Sequence, residues 1–191
     1  MVNPFFYFLI EPGWGKYNYI AGFLGVANLK KIFLTGMPNV GKSVLFNRLT
    51  GAYVTVSNYP GTTVDISCGK AYIMGENFEI IDTPGLYTLM PITEEERVTR
   101  HLLLKEASFL VVHVVDGKNL RRMLPLALQL RETELPLMLV VNMMDEARAL
   151  GIAINKLKLE EILGVPVVLT AAAQNKGMGE LRGRIHAYRR I

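Results

Sequence analysis

The sequence contains few of the residues that build disulfide frameworks and thiolate-rich metal sites. Its 191 residues include one cysteine, Cys68, and three widely spaced histidines, at positions 101, 113 and 186. A single cysteine excludes an intramolecular disulfide and a cysteine-rich metal cluster. Because a chain without disulfides is typical of a reducing compartment, we expect a cytoplasmic location.

Long apolar runs are missing as well. The nearest approach is the segment 5–10, FFYFLI, which Glu11, Pro12 and Gly13 end at once. A membrane-spanning helix needs about 18 or more predominantly apolar residues. A signal peptide needs a positively charged start, which this segment lacks. We therefore expect the chain as given to be soluble.

Positive charge exceeds negative charge only slightly. Lys and Arg number 21 against 17 Asp and Glu, which gives a net charge of +4, and the cationic pairs at 30–31, 121–122 and 189–190 are far apart. We do not expect a nucleic-acid partner, because such binding needs a denser basic face. With 50% hydrophobic and 20% charged residues, the chain has the composition of one globular domain.

Residues 1–29 differ from the rest of the chain. They are rich in aromatic residues and glycine, and Glu11 and Lys16 are their charged residues. We treat them as an N-terminal extension of unknown role. Two interpretations stay open: an extension or strand that packs on the domain, and an aromatic surface that contacts a membrane or a partner.

From residue 30 to residue 191, short β-branched runs alternate with helical patterns. The runs are continuously apolar, as in parallel strands covered on both faces, and a strand at 65–73 should pair antiparallel with 78–81 across a turn. The pattern predicts an α/β fold with an open, mostly parallel sheet and helices on both faces. We predict strands at 31–35, 78–81, 109–115, 137–141 and 165–169, and helices at 42–50, 94–106, 120–131, 154–163 and 178–189.

A phosphate-binding pattern follows the first of these strands and opens a helix. Glycines in such a loop let backbone N–H groups surround phosphate oxygens, and the helix N-terminus favours negative charge. Lys42 would bind the β- and γ-phosphates and Ser43 would bind Mg²⁺. The alternative is an ordinary glycine-rich turn. We include the following Val44 in the candidate site, whose motif reads Gly36-Met37-Pro38-Asn39-Val40-Gly41-Lys42-Ser43.

Two further segments fit a nucleotide that carries a γ-phosphate. Asp82 follows the apolar strand 78–81 and is placed to hold Mg²⁺, mostly through water, while Gly85 can offer its N–H to the γ-phosphate. Segment 57–64 is rich in turn residues and should close over Mg²⁺. We expect Thr63 to be the closing ligand, with Thr62 as the alternative, and an ordinary surface loop is the competing interpretation.

The segment Asn142-Met143-Met144-Asp145 follows the strand 137–141. An N-x-x-D pattern lets the carboxylate accept the ring N–H and the amino group of guanine, which adenine does not offer together. A carboxylate left unpaired by the wrong base is costly, so we expect GTP rather than ATP. A loop after the last strand could bring a backbone N–H to the guanine carbonyl, and it consists of Thr170, Ala171 and Ala172.

These residues resemble the small G-protein superclass over about residues 30–191, and within it the G domain of ferrous iron transport protein B. The resemblance implies a P-loop NTPase fold, binding of GTP, GDP and Mg²⁺, slow GTP hydrolysis, and regulation of Fe²⁺ import through a membrane domain at the cytoplasmic face of the inner membrane. It implies small accessory iron-transport proteins as further partners. The segments that carry it are 58–64 (NYPGTTV), 82–89 (DTPGLYTL), 94–98 (EEERV), 114–120 (VVDGKNL) and 142–147 (NMMDEA).

The same resemblance implies a K⁺ ion held in part by Asn39. Such an ion places positive charge where the transition state gains negative charge, as an arginine finger does, so turnover should be stimulated by K⁺. We expect four residues to act on the reacting phosphate, namely Lys42, Asn39, Thr63 and Gly85.

The chain also departs from common G proteins. Leu86 stands where signalling GTPases usually carry a glutamine that orients water, which predicts slow intrinsic turnover without a nameable general base. Met143 replaces the lysine of the common N-K-x-D form. Two other functions stay open: a stand-alone soluble GTPase of the ribosome-assembly or RNA-linked type, and a nucleotide-dependent interaction module that does not hydrolyse GTP.

Overall fold

A seven-stranded sheet organises residues 29–51 and 54–188, which are the part of the chain that the computed structural model describes. Residues 1–28 lie outside it, so the role of the extension stays untested, and the first strand begins at Lys30, one residue before its predicted start. The strands are β1 (Lys30–Thr35), β2 (Val54–Asn58), β3 (Asp65–Ile73), β4 (Glu76–Asp82), β5 (Leu110–Asp116), β6 (Leu137–Asn142) and β7 (Val167–Leu169).

Six helices lie between and after these strands in the described ranges. Two short 3₁₀ turns, Gly117–Asn119 and Ala172–Gln174, follow β5 and β7. No helix among the described residues combines the length and the apolar character that crossing a membrane requires. The helices are α1 (Lys42–Leu49), α2 (Glu94–Lys105), α3 (Leu120–Glu132), α4 (Met144–Ala149), α5 (Lys156–Leu163) and α6 (Met178–Ala187).

The strand order is β2-β3-β4-β1-β5-β6-β7. The pairs within β4-β1-β5-β6-β7 are parallel, and β2-β3-β4 is antiparallel. The mostly parallel sheet and the β3–β4 hairpin are therefore as predicted. Every residue of β5 and β6 is buried, which explains why these strands appear in the sequence as continuous apolar runs.

Alternate residues of the central strands point to two hydrophobic clusters. Ile32 and Leu34 of β1 pack in one cluster with residues of α1 and α6. Phe33, between them, packs in the other with residues of α2 and α3. Since successive side chains of a strand point to opposite faces, helices cover both faces of the sheet and leave its carboxyl edge open for a site.

Two elements were not predicted. Strand β2 extends through Asn58, so the segment 57–64 begins as strand rather than as loop; all five β2 residues are exposed, and no buried apolar face marks the strand in the sequence. Helix α4 has six residues, too few to show a helical period. The last strand begins at Val167 rather than at residue 165, and the proline before it has no backbone N–H to donate.

A buried polar pair lies within the sheet where β1 meets β5. Thr35 and His113 are register partners, and both are fully buried. Among the described residues, neither the Thr35 hydroxyl nor either imidazole nitrogen of His113 has a hydrogen-bond partner. Burial lowers the pKa of His113 to about 4, so the imidazole is neutral at physiological pH.

We expect His113→Asn to weaken the acid sensitivity of the fold. The folded pKa lies below the ordinary value of 6.5, so the stability from the neutral imidazole is present above pH 6.5 and is lost as pH falls towards 4. Between pH 7 and pH 4.5, the free energy of unfolding of the native chain should fall by about 2–3 kcal/mol more than that of the variant. Equal losses in denaturant titrations would contradict this assignment.

Candidate functional site

The phosphate-binding motif forms the loop between β1 and α1, at the carboxyl edge of the sheet. Its glycines are required by close approach: a Cβ at Gly36 would lie 2.3 Å from the carbonyl oxygen of Val114, and one at Gly41 would lie 2.4 Å from Asn142 Nδ2. Gly41 also has a left-handed backbone, with φ at 81°. The loop conformation therefore depends on the two residues that the pattern fixes as glycine.

Lys42 and Asp82 meet at this edge because β1 and β4 are parallel neighbours. Lys42 Nζ lies 2.6 Å from Asp82 Oδ1, and both side chains are nearly buried. Ser43 Oγ donates to the other carboxylate oxygen at 3.0 Å. A hydroxyl and a carboxylate side by side are the hard oxygen ligands that Mg²⁺ prefers, so these residues fit the predicted metal.

A cleft of about 420 Å³ opens beside this ion pair. Thr63 lines it together with Lys42 and Asp82. The hydroxyl of Thr62 is used elsewhere, since it donates to the carbonyl of Tyr59 at 2.9 Å and accepts from the backbone N–H two residues on at 3.2 Å. The structure therefore places Thr63 in the lining of this cleft, whereas the Thr62 hydroxyl is used within its own turn.

The loop after β4 is fastened to the phosphate loop. The N–H of Leu86 donates to the carbonyl of Gly36 at 3.0 Å, and a Cβ at Gly85 would lie 2.7 Å from Pro38 Cγ. The Leu86 side chain is fully buried in the cluster that contains Phe33. It therefore points away from the cleft and cannot orient a water molecule there.

Helix α2 holds the far end of this loop through Glu96. Its carboxylate accepts from the backbone N–H groups of Ile92 at 2.8 Å, Thr93 at 3.3 Å and Tyr87 at 3.4 Å. The bond from Ile92 is the main reason that the pKa of Glu96 lies below its usual value, against the opposing effect of burial. The loop is thus tied to an ionised side chain at one end and to the phosphate loop at the other.

Asn142 joins three segments of the predicted site. Its Nδ2 donates to the carbonyl of Val40 at 3.0 Å, and its Oδ1 accepts from Thr170 Oγ1 and from the N–H of Ala172, each at 3.0 Å. The side chain is buried. Asn142 therefore supports the site by connecting the phosphate loop to the loop after β7, and these bonds occupy its side chain.

The loop after β7 uses its own backbone donors. The N–H of Ala171 donates to the carbonyl of Lys176 at 3.1 Å, and that of Ala172 donates to Asn142. The N–H of Thr170 donates to the carbonyl of Val141 at 2.8 Å. The donors that were expected to reach a guanine carbonyl therefore hold the loop in place in this structure.

Asp145 lies in the first turn of α4, where the helix dipole favours a carboxylate. Met143, with a left-handed φ of 58°, turns the chain from β6 into this helix. Asp145 Oδ2 accepts from Gln174 Nε2 at 2.8 Å. Sequence reasoning missed Gln174, because one exposed glutamine in a loop carries no pattern of its own.

The other predicted residues lie at the rim of the phosphate loop. Pro38 and Asn39 are exposed, and Asn39 has a left-handed φ of 63°. Val44 lies in the first turn of α1 and is 40% exposed. The exposed position of Asn39 leaves its side chain accessible to solvent.

The sequence profile described as "Ferrous iron transport protein B" matches residues 30–185. The chain belongs to this family. The Fe(2+) transporter FeoB of Synechocystis sp. is 37% identical over 148 residues, which make up 78% of this chain and 24% of that protein. The Fe(2+) transporter FeoB of Helicobacter pylori is 44% identical over 141 residues, or 74% of this chain and 22% of that protein. The chain spans about a quarter or less of these relatives.

Solved structures of the FeoB family share the fold. The G domain of the T. maritima FeoB iron transporter has a TM-score of 0.77 at 37% identity, covering 83% of this chain and 97% of that one. Its cytosolic domain in GDP form I has a TM-score of 0.81 at 37% identity, covering 85% and 65%. The GMPPNP form has a TM-score of 0.79 at 36% identity, covering 84% and 64%. The predicted P-loop NTPase fold is thereby confirmed.

We expect Leu86→Gln to destabilise the chain by about 2–4 kcal/mol, because it buries an amide in an apolar cluster. Leu86→Met keeps the volume and should cost less than about 1.5 kcal/mol. Denaturant unfolding of both variants measures these costs. Native stability in Leu86→Gln would contradict the burial and would show that a side chain at this position can turn towards the cleft.

Proposed function

We propose that this chain is the GTP-binding and slowly GTP-hydrolysing regulatory domain of a ferrous iron transporter. The observation that carries the proposal is the hydrogen bond from Asn142 to Val40, which joins the base side of the site to the phosphate loop. Similar structures of the T. maritima protein are described as GDP and GMPPNP forms. A guanine nucleotide would span the two sides that Asn142 connects.

The positive charge of Lys42 would bind the phosphates of the nucleotide. Lys42 is neutralised by Asp82 at 2.6 Å, and a β- or γ-phosphate would take over as its partner. Ser43, Asp82 and Thr63 would then hold Mg²⁺, whose positive charge offsets that of the phosphates. Thr63 is favoured over Thr62 as the closing ligand. Thr63 lines the cleft, whereas the hydroxyl of Thr62 donates to the carbonyl of Tyr59.

Hydrolysis would rely on positioning and electrostatics rather than on a protein base. Lys42 and the N–H of Gly85 would stabilise charge on the transferred phosphate, with Thr63 and Asn39 beside it. Leu86 is buried and supplies no group that activates water. Turnover should therefore be slow, since the usual water-orienting contact is replaced by packing.

K⁺ would supply the missing positive charge near the transferred phosphate. Asn39 is the proposed protein ligand, because it is an exposed residue of the phosphate loop, three positions before Lys42. An amide oxygen suits a weakly hydrated monovalent cation, and Asn39 has a left-handed backbone within the loop.

Membership of the family supports the proposed role in iron transport. The full-length relatives are Fe(2+) transporters of which this chain covers about a quarter or less. A membrane domain of the same transporter and small accessory iron-transport proteins are the proposed partners, at the cytoplasmic face of the inner membrane. Within residues 29–51 and 54–188, no group of three or more His, Cys, Asp or Glu side chains is placed to hold a metal ion.

Base selectivity tests the proposed function directly. The affinity of the native chain for GDP should be at least about a hundredfold higher than its affinity for ADP. Asp145→Asn should weaken GDP binding and favour XDP, because an amide can donate to the C2 carbonyl of xanthine. Fluorescence titrations with the three nucleotides measure this change. Asp65→Asn, at an exposed aspartate on the phosphate side, is the matched control, and unchanged base preference in Asp145→Asn would refute the assignment.

Turnover in KCl against NaCl tests the K⁺ proposal. Phosphate release from GTP should be at least about tenfold faster in KCl than in NaCl, because K⁺ adds a charge contact that stabilises the transition state. Asn39→Ala should lose most of this stimulation while it retains GDP binding. Asn47→Ala, at an exposed position of α1, should behave as the native chain. Equal rates in the two salts would exclude the K⁺ role.

A further inference from the structure

We propose that Gln174 is a second determinant of guanine specificity, acting as a positioning residue for Asp145. The inference rests on the proposed function, since it concerns the same base-reading carboxylate. Gln174 Nε2 donates to Asp145 Oδ2 at 2.8 Å across 29 residues of chain. The bond joins α4 to the 3₁₀ turn after β7, so it orients the carboxylate from outside its own helix.

The loop that carries Gln174 is held firmly. Ala171 and Lys176 exchange two backbone hydrogen bonds, and the N–H of Gln174 donates to the carbonyl of Ala171 at 2.9 Å. The loop closes at Gly177, where a Cβ would lie 2.2 Å from the carbonyl oxygen of Leu169. A side chain projecting from so constrained a turn can fix its partner, because its own backbone does not have to be ordered first.

The helix that carries Asp145 is also held by the turn after β5. Lys118 forms an ion pair with Glu146, the residue after Asp145, and Asp116 accepts from the N–H of Lys118 at 2.8 Å. A Cβ at Gly117 would lie 3.1 Å from the carbonyl oxygen of Asn142. The backbone of α4 is therefore held against the turn after β5, and Gln174 supplies the hydrogen bond that orients the Asp145 side chain.

The chemistry leaves room for Gln174 and guanine together. An ionised carboxylate offers about four acceptor positions. The guanine N1–H and amino group would use one position on each oxygen, and Gln174 uses a third. As a neutral donor, Gln174 does not cancel the negative charge that attracts the base. A carboxylate fixed in this way meets both guanine donors without first losing rotational freedom.

The ratio of GDP to IDP affinity reports this effect, because hypoxanthine lacks only the amino group of guanine. Gln174→Met removes the donor and keeps the length, so the ratio should fall about 3- to 10-fold. Gln174→Glu sets a second carboxylate against Asp145 and should lower the ratio further. Gln174→Lys restores a donor and should bring the ratio of GDP to IDP affinity most of the way back to the native value. Lys176→Met, an exposed position of the same loop, is the matched control.

Three outcomes decide between the alternatives. An unchanged GDP to IDP ratio in Gln174→Met and Gln174→Glu would overturn the role of Gln174 and leave the proposed function intact. Failure of the native chain to prefer GDP over ADP would instead overturn the proposed function. In the Asp145→Asn background, Gln174→Met should leave the ratio unchanged, and a further fall there would show that Gln174 does not act through Asp145. Thermal unfolding should be native-like throughout, since Gln174 is exposed.

Discussion

The side chain of Asn142 makes the hydrogen bonds on which the whole site depends. One buried amide connects the carbonyl of Val40 in the phosphate loop with Thr170 and Ala172 in the loop after β7. Leaving these groups unpaired in the interior would be costly, so the three segments keep one arrangement. The segments proposed to recognise the base and to bind the phosphates are thereby parts of a single structure.

On the phosphate side, Lys42 and Asp82 are paired with each other and would change partners when a nucleotide and a metal ion bind. Lys42 and Asp82 form a nearly buried ion pair, and breaking such a pair without replacing a partner is unfavourable. A phosphate and a metal ion would replace both partners at once, the phosphate on Lys42 and the metal on Asp82. Lys42 and Asp82 meet because β1 and β4 are parallel neighbours in the sheet. The charge arrangement of the site therefore depends on the strand order.

Local patterns account for what could be predicted from the sequence. The continuously apolar runs of β5 and β6 predicted the sheet, and the spacing of the glycines predicted the phosphate side of the candidate site, because those features follow from neighbouring residues. Strand β2 was missed, since its valines are exposed and none of its five residues is buried. The bond between Gln174 and Asp145 depends on how α4 and a distant loop meet, which no single segment encodes.

The most direct test of the account is a crystal structure of this chain with GDP and Mg²⁺. The account predicts that the Asp145 carboxylate contacts the guanine while Asn142 keeps its bond to Val40, and that Lys42 leaves Asp82 for the β-phosphate. A nucleotide bound away from Asp145, or a Lys42–Asp82 pair that persists beside the bound phosphates, would contradict it.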